Sequence, residues 1–581
     1  MSEMIVGIDL GTTNSLVGAV LEGSVKLFAD SAGNELLPSV VGAGAGGEIL
    51  VGRTAKNRRV LDPEGTVVSI KRLMGTGERR RVGSRELSPP QISALILGAL
   101  LDRAEARLGR RPARAVITVP AYFDDAQRQA TRDAGEMAGL VVERLVNEPT
   151  AAAMTYRTGA EQLVLVYDLG GGTFDVSILE RDQDLLEVRT SRGDTRLGGD
   201  DIDRALTEIV LSRLGPKRGL IEGDPRAMTR LLEAVERAKI ALSERDEVRL
   251  FDPFLAGEGS EAAHLDLPLT RADVDEAARP FVERTLGHVD AALRDAKLRP
   301  GDLDRVLLVG GASKMPIVRA LVSGHLERPA QLDLDADRAV ALGASMLAGR
   351  IAGAAVAEVL VDITPHTLAA GALGRIDDDD DDDDIDLVAT PLIQRGSVVP
   401  VERKKTVYTH TENQPAAVIP IVQGEHPLAE ANTQLGEVVV SPLPPSPAHS
   451  PIELTFRLDL SGVLHVSAQH LPSGTSAAVV IANSPYRLTA QRRAQARAEV
   501  EELRAGAGEG HAVEKATETD LSLARAMLAR ARKAIGLGAG EAAALDRVRA
   551  VVASLEEAVE SASPRTAELT DALSDALLDL T

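Results

Sequence analysis

Tyr167-Asp168-Leu169-Gly170-Gly171-Gly172-Thr173-Phe174-Asp175 nearly repeats a stretch close to the amino terminus, Ile8-Asp9-Leu10-Gly11-Thr12-Thr13-Asn14-Ser15. Each is an apolar run, then Asp-Leu-Gly, then small or hydroxyl residues, then a second apolar run. That order reads as strand, tight turn and returning strand. Glycine lets the turn backbone approach a ligand and aim several N–H groups at it. The aspartate before each turn suits a hydrated divalent cation. Two such turns predict two similar lobes holding one nucleotide between them.

A third glycine turn, Val309-Gly310-Gly311-Ala312-Ser313-Lys314, follows a strand and precedes a helical pattern, a setting that suits a phosphate or nucleoside. Each turn alone is ordinary chain reversal; the duplication is what points to a site. Phosphoryl transfer needs positioned charge more than covalent help. Asp9, Asp168 and Asp175 are the candidate cation-organising carboxylates and Lys71 the candidate cation for phosphate. Read alone, Lys71 is a solvated lysine.

The chain has 581 residues, too many for one core, so several domains are expected. With 2% aromatic residues and no Trp, the cores must rest on Leu, Val, Ile and Ala. A net charge of −22 disfavours general nucleic-acid binding. The absence of Cys excludes thiol chemistry. No apolar run is long enough to span a bilayer, and the start carries no signal-like pattern, so the expectation is a cytoplasmic protein with no membrane or nucleic-acid partner.

Strand-like and helical patterns alternate over residues 1–355, an α/β reading. Helices are expected at 125–138 and 226–244. Residues 356–363 form a linker containing the apolar run Val359-Leu360-Val361. Residues 364–488 read as strands: Ile452, Leu454, Phe456, Leu458 and Leu460 alternate with polar residues, Ser461-Gly462 turns the chain, and 463–468 returns. Residues 489–581 read as helices, with breaks at Gly506 and Gly536 and an N-cap at Ser563-Pro564.

These motifs resemble the heat-shock protein 70 chaperones, of the bacterial DnaK and HscA type. The resemblance rests on Ile8 to Ser15, on Val116-Ile117-Thr118-Val119-Pro120-Ala121-Tyr122-Phe123, on Asn147-Glu148-Pro149-Thr150, on Asp168 to Asp175, on Gly193-Asp194-Thr195-Arg196-Leu197-Gly198-Gly199 and on Glu236 to Ser243. It implies a multidomain chain: an actin-like α/β ATPase of two duplicated lobes, then a β-sandwich that grips extended peptide, then an α-helical lid. It implies ATP and Mg²⁺ as cofactors. Asp9 and Asp168 then hold the metal through water. Lys71, Glu148, Asp175 and Thr173 serve hydrolysis, and Gly11, Thr12, Thr13, Gly170, Gly171 and Gly172 surround phosphates. Gly198, Gly199, Glu236, Lys239, Ser243, Gly310, Gly311, Lys314 and Asp337 complete the nucleotide site. Glu236, Lys239 and Ser243 are expected on one helix face. Pro120, Arg128, Arg144 and Asp362 carry communication between domains. Leu373 and His410 arch over bound peptide, Ala417 floors the pocket, and Ala370 and Val407 wall it. The implied partners are unfolded or extended polypeptides, a J-domain co-chaperone and a nucleotide exchange factor, around a mostly monomeric chain.

Four departures from the family pattern stand out. Lys314 replaces the usual Arg, a poorer stacking partner for adenine. The stretch 75–90 is short, the linker is less uniformly apolar, and eight consecutive aspartates occupy 377–384, followed by Asp386. That run reads as a solvated loop, or as a bias of the cleft toward Lys/Arg-rich peptides. The chain also ends without the EEVD-type terminus of eukaryotic cytosolic members. An ATP-binding holdase or exchange-factor-like relative with weak hydrolysis, and a small-molecule kinase on the same ATPase design, are the competing readings.

Overall fold

The computed structural model describes residues 4–156, 163–257, 262–332, 335–356, 358–374, 386–480, 490–506, 518–536, 542–563 and 566–578. The aspartate run at 377–384 lies outside them, as does Pro564 of the expected N-cap.

The duplicated motif builds two sheets with the same local pairing. In a six-stranded sheet, Ile5–Asp9 pairs antiparallel with Asn14–Leu21 and parallel with Arg114–Val119. In a seven-stranded sheet, Leu163–Leu169 pairs antiparallel with Phe174–Asp182 and parallel with Arg305–Val309. Each Asp-Leu-Gly therefore ends a strand held on both sides, which fixes where its carboxylate points. Strands covered on both faces read as near-continuous apolar runs, as Val164, Leu165, Val166 and Tyr167 do, each at most 9% exposed.

Between the sheets lies a shared core. Ile5, Val116 and Val146 of one sheet meet Val166, Leu179 and Val309 of the other, with helices Glu148–Met154 and Ala339–Ile351 packed among them. These two helices cross so closely that a Cβ on Gly343 would sit 1.8 Å from the Ala151 carbonyl oxygen.

The later strands form two four-stranded sheets around one apolar cluster. The expected hairpin is present as Pro451–Leu458 and Leu464–His470, with Ile452, Leu454, Phe456 and Leu458 buried. Leu460 is 49% exposed and belongs to the turn instead, because Asp459 accepts the N–H groups of Ser461 and Val463 and bends the chain early. The linker strand Val359–Ile363 adds to the seven-stranded sheet beside Leu185–Asp194, and Val398–Val399 pairs on its other side.

The first tail helix, Ala490–Gly506, packs against helices Pro89–Leu108 and Asp125–Met137. Its Ala496, Val500 and Leu503 enter the core of the first sheet's lobe. Helices Glu518–Gly536, Ala542–Glu560 and Thr566–Leu578 then form a bundle with its own apolar core. Among the described residues, no helix is long and apolar enough to cross a membrane.

Candidate functional site

The two Asp-Leu-Gly turns face each other at contact distance. A Cβ on Gly171 would lie 2.0 Å from Thr13 Oγ1, and one on Gly172 would lie 2.5 Å from Thr12 Cγ2. Gly198 packs its α-carbon on the Gly171 backbone, where a Cβ would come within 2.6 Å, and the Gly199 N–H donates to the Gly170 carbonyl at 3.0 Å. The third turn closes the ring: a Cβ on Gly310 would meet Asp168 Oδ1 at 2.5 Å. Small residues are needed here because three backbone segments converge.

Around these turns stand Asp9, Asp168, Asp175 and Glu148, with Lys71 among them. Thr118 Oγ1 donates to Asp9 at 2.8 Å, and the Tyr122 N–H donates to Asp175 at 3.0 Å. Burial, reinforced by the charge of Glu148, pushes Asp9 and Asp175 each up to about 7. Asp168 is raised well above the carboxylate range by burial first, then by Glu148, Asp175 and Asp9. Lys71 is buried and paired with Glu148, not solvated. It follows Ser69, whose left-handed φ of 53° turns Ile70–Leu73 into the cleft.

A cavity of about 540 Å³ opens beside this cluster, lined among others by Thr12, Thr13, Lys56, Arg72, Asp200 and Glu236. Lys239 is buried and pairs with Asp203 at 2.7 Å, while Glu236 reaches Lys56 of the opposite wall at 3.8 Å. Ser243 departs from expectation: the helix Pro225–Ala241 ends before it, and Ser243 lies in the following turn, its N–H donating to Ile240. The break comes at Leu242, just before Ser243 and close to Asp246, whose side chains compete with the helix backbone. Lys314 pairs with Asp337, and Gly311 begins a short 3-10 turn ahead of the helix Pro316–Leu326.

Several residues at this site were not singled out in the sequence. Arg72 donates to the Gly172 carbonyl at 3.0 Å and pairs with Asp201. Ser69 Oγ donates to Asp200 at 2.6 Å. The adjacent Asp200-Asp201 pair at a helix start was the available signal.

A second set joins the cleft to the β-rich region. Arg128 is buried and donates to the carbonyls of Phe123 and Ala121 and to Asn147 Oδ1 at 2.8 Å. Asn147 Nδ2 donates to both carboxylate oxygens of Asp362, at 2.9 and 2.8 Å. Arg144 is half-buried, and the carboxylate of Asp362 partly offsets the burial that lowers its pKa. Pro120 is buried at the end of strand Arg114–Val119. Across the junction, the Leu464 N–H donates to Asp125 at 3.0 Å, and the Leu145 N–H donates to Ser461 Oγ at 3.1 Å. None of the four charged or rigid positions proposed for communication is a free surface group. Asn147 was missed, although it directly precedes Glu148.

The expected peptide-contacting residues divide. Ala370 and Ala417 are buried in the cluster between the two β-sheets, and Val407 packs against it. Leu373 is 54% exposed, and its strand neighbour is Leu387. The His410 N–H donates to Gln414 Oε1 at 2.9 Å, leaving the residue exposed. Ala370 and Ala417 thus both lie inside the cluster in this arrangement.

Comparison with known proteins gives one family. The model described as Hsp70 protein matches residues 5–83 and 77–579. Chaperone protein DnaK from Thermotoga petrophila, from Thermotoga neapolitana and from Thermotoga maritima are each 42% identical over 490 residues, covering 82% of this chain and 80% of theirs. The chain belongs to the Hsp70 family of ATP-hydrolysing molecular chaperones.

Proposed function

We propose that the cleft binds ATP with a hydrated Mg²⁺, and that the nucleotide state sets the grip of the β-rich region on extended polypeptide. In this reading residues 1–355 are an actin-like two-lobed ATPase, 356–363 the linker, 364–488 the β-sandwich that holds peptide and 489–581 the helical lid. Asp9 and Asp168 hold the ion. The buried carboxylates fit it, since burial leaves them unfavourably charged unless a cation arrives. Two such carboxylates suit Mg²⁺, which keeps several waters and takes its other ligands from phosphates. Bound there, the ion neutralises charge on the phosphates. Lys71 adds positive charge beside the transferred group, Glu148 and Asp175 orient the attacking water, and Thr173 with the turn N–H groups of 11–13 and 170–172 positions the phosphates. Gly198, Gly199, Glu236, Lys239, Ser243, Gly310, Gly311, Lys314 and Asp337 frame the nucleoside.

One observation carries the coupling: Asp362 of the linker strand is hydrogen-bonded to Asn147, the neighbour of Glu148. The linker strand is an element with two available states, paired into the ATPase sheet or released, which both sites can bias. Leu373, His410, Ala370, Val407 and Ala417 form the peptide site once the sandwich opens. A J-domain co-chaperone, an exchange factor and a cytoplasmic setting belong to the same proposal.

Two rates test it together: single-turnover ATP hydrolysis with and without a model peptide, and dissociation of a labelled peptide with and without ATP. Peptide speeds hydrolysis and ATP speeds release. Hydrolysis without any effect of ATP on peptide release would leave an uncoupled ATPase and overturn the proposal.

A further inference from the structure

The three-helix bundle at the carboxy terminus stands on both walls of the nucleotide cleft. Helices Glu518–Gly536 and Thr566–Leu578 each pack on the helix Arg53–Arg58 and on the strand Glu247–Ala256. Those two footings belong to different bodies. The short helix is attached to the strand pair whose Val41 and Ile49 lie in the first sheet's core. The strand places Val248, Leu250 and Leu255 in the core of the second.

The attachment to the second wall is specific. Asp252 is 1% exposed and accepts from Arg230 Nε at 3.0 Å and Arg230 Nη2 at 2.8 Å. Arg530 of the bundle approaches the same carboxylate at 3.3 Å and donates to the Phe251 carbonyl, also at 3.3 Å. The Phe251 side chain packs against the bundle core. Arg230 lies on the helix Pro225–Ala241, which also carries Glu236 and Lys239 of the cleft. Directly beneath, Lys56 of the short helix faces Glu236 across the opening. Lys56 and Glu236 are 41% and 26% exposed, too wet for that pair to hold the walls together by itself. The bundle adds a half-buried arginine and an apolar footing to the same crossing.

Opening such a cleft moves its two rims apart, and the bundle, packed on both, opposes that motion. We propose that the carboxy-terminal bundle is a clamp across the mouth of the cleft that slows nucleotide release while the tail is docked, with Arg530 as its positioning residue. The inference rests on nucleotide occupying the cleft. It makes the tail a second regulator of the ATPase cycle, acting on exchange and not on hydrolysis.

Stopped-flow release of a fluorescent ADP analogue from the full chain tests it. Arg530→Ala leaves Asp252 still paired with Arg230, so no buried carboxylate is orphaned. Release is expected to quicken about fivefold or more, the size of one lost charge-assisted contact. The opposite manipulation uses the cysteine-free background. Phe251→Cys combined with Met527→Cys, whose sites flank the Arg530 guanidinium, is bridged with a bismaleimide. Bridged protein, in which the bundle can let go only of the Arg53–Arg58 footing, is expected to release nucleotide about fivefold more slowly than the same variant unbridged. Release within about twofold of the respective control in both experiments, with unchanged helical circular dichroism, overturns the clamp while leaving nucleotide binding intact. Failure of the unmodified chain to bind the analogue overturns both the clamp and the nucleotide site beneath it.

Discussion

Lys71 is where a residue's meaning changed most. Its neighbours in sequence, Ile70 and Arg72, gave no sign that it is buried, and a lysine without context is a solvated cation. In the folded chain it sits against Glu148, with the charges of Asp9, Asp168 and Asp175 near enough to be felt. Removing it leaves the buried Glu148 carboxylate without its cation and, in the proposed site, takes a positive charge from beside the phosphates. Lys71→Ala is expected to slow single-turnover ATP hydrolysis about a hundredfold or more. A thermal melt within a few degrees of the parent would separate this from unfolding. Thr173 is 5% exposed beside the second turn, and the resemblance alone singles it out. Arg72 was not legible, since its partner Asp201 lies 129 positions away.

At the scale of elements, local chemistry spoke clearly. The helix expected at 125–138 runs Asp125–Met137, started by Asp124, whose side chain accepts the Gln127 N–H at 2.8 Å. The β-hairpin at 451–470 keeps its alternation because one face is buried. The linker was harder. It reads as a short apolar connector, and nothing in it says that it forms a strand or which sheet it joins. It lies between Leu185–Asp194 and Val398–Val399, with Asp362 6% exposed near two guanidinium groups. That carboxylate makes the docked state specific. Asp362→Ala is expected to cut the acceleration of peptide release by ATP about tenfold, within the usual range for coupling between two sites. Labelled-peptide dissociation with and without ATP reads this directly, and an undiminished acceleration would remove the linker strand from the coupling.

For the whole molecule, the junction between the two-lobed region and the β-rich region carries a histidine, His366, whose protonation would oppose docking. His366 stacks obliquely on Tyr122 with ring centroids 4.3 Å apart, and its Nε2–H donates to the Tyr122 carbonyl at 3.2 Å. Burial, with help from Arg128 and Arg192 and against Glu425, pushes it down to about 4 from an ordinary value of 6.5. A depressed histidine stabilises the form that keeps it neutral. Its contribution to docking is complete above pH 6.5 and is lost as pH falls toward about 4. Asp362 runs the other way, since burial raises its pKa and disfavours its charged form in the docked state. The radius of gyration measured by small-angle scattering is therefore expected to grow between pH 6.5 and 4.5 in the parent and to change less in His366→Phe. Equal pH profiles for the two would exclude His366 as the sensing group.

The sequence by itself determined the duplicated turn, the glycines that its close approach demands, the order of α/β, β and helical regions, and the family. These follow from chemistry confined to a few adjacent residues. It did not determine which groups are buried together. The carboxylate cluster around Lys71, the Asn147–Asp362 link, the placement of Ala370 inside the sandwich core and the seating of the tail bundle across the cleft all join residues far apart in the chain. Burial and charge proximity are properties of assembled surfaces, so only the tertiary structure decided them. The Asp-Leu-Gly repeat pointed to a cleft between two lobes; the fold decided which groups meet across it and that the tail bundle packs on both of its walls.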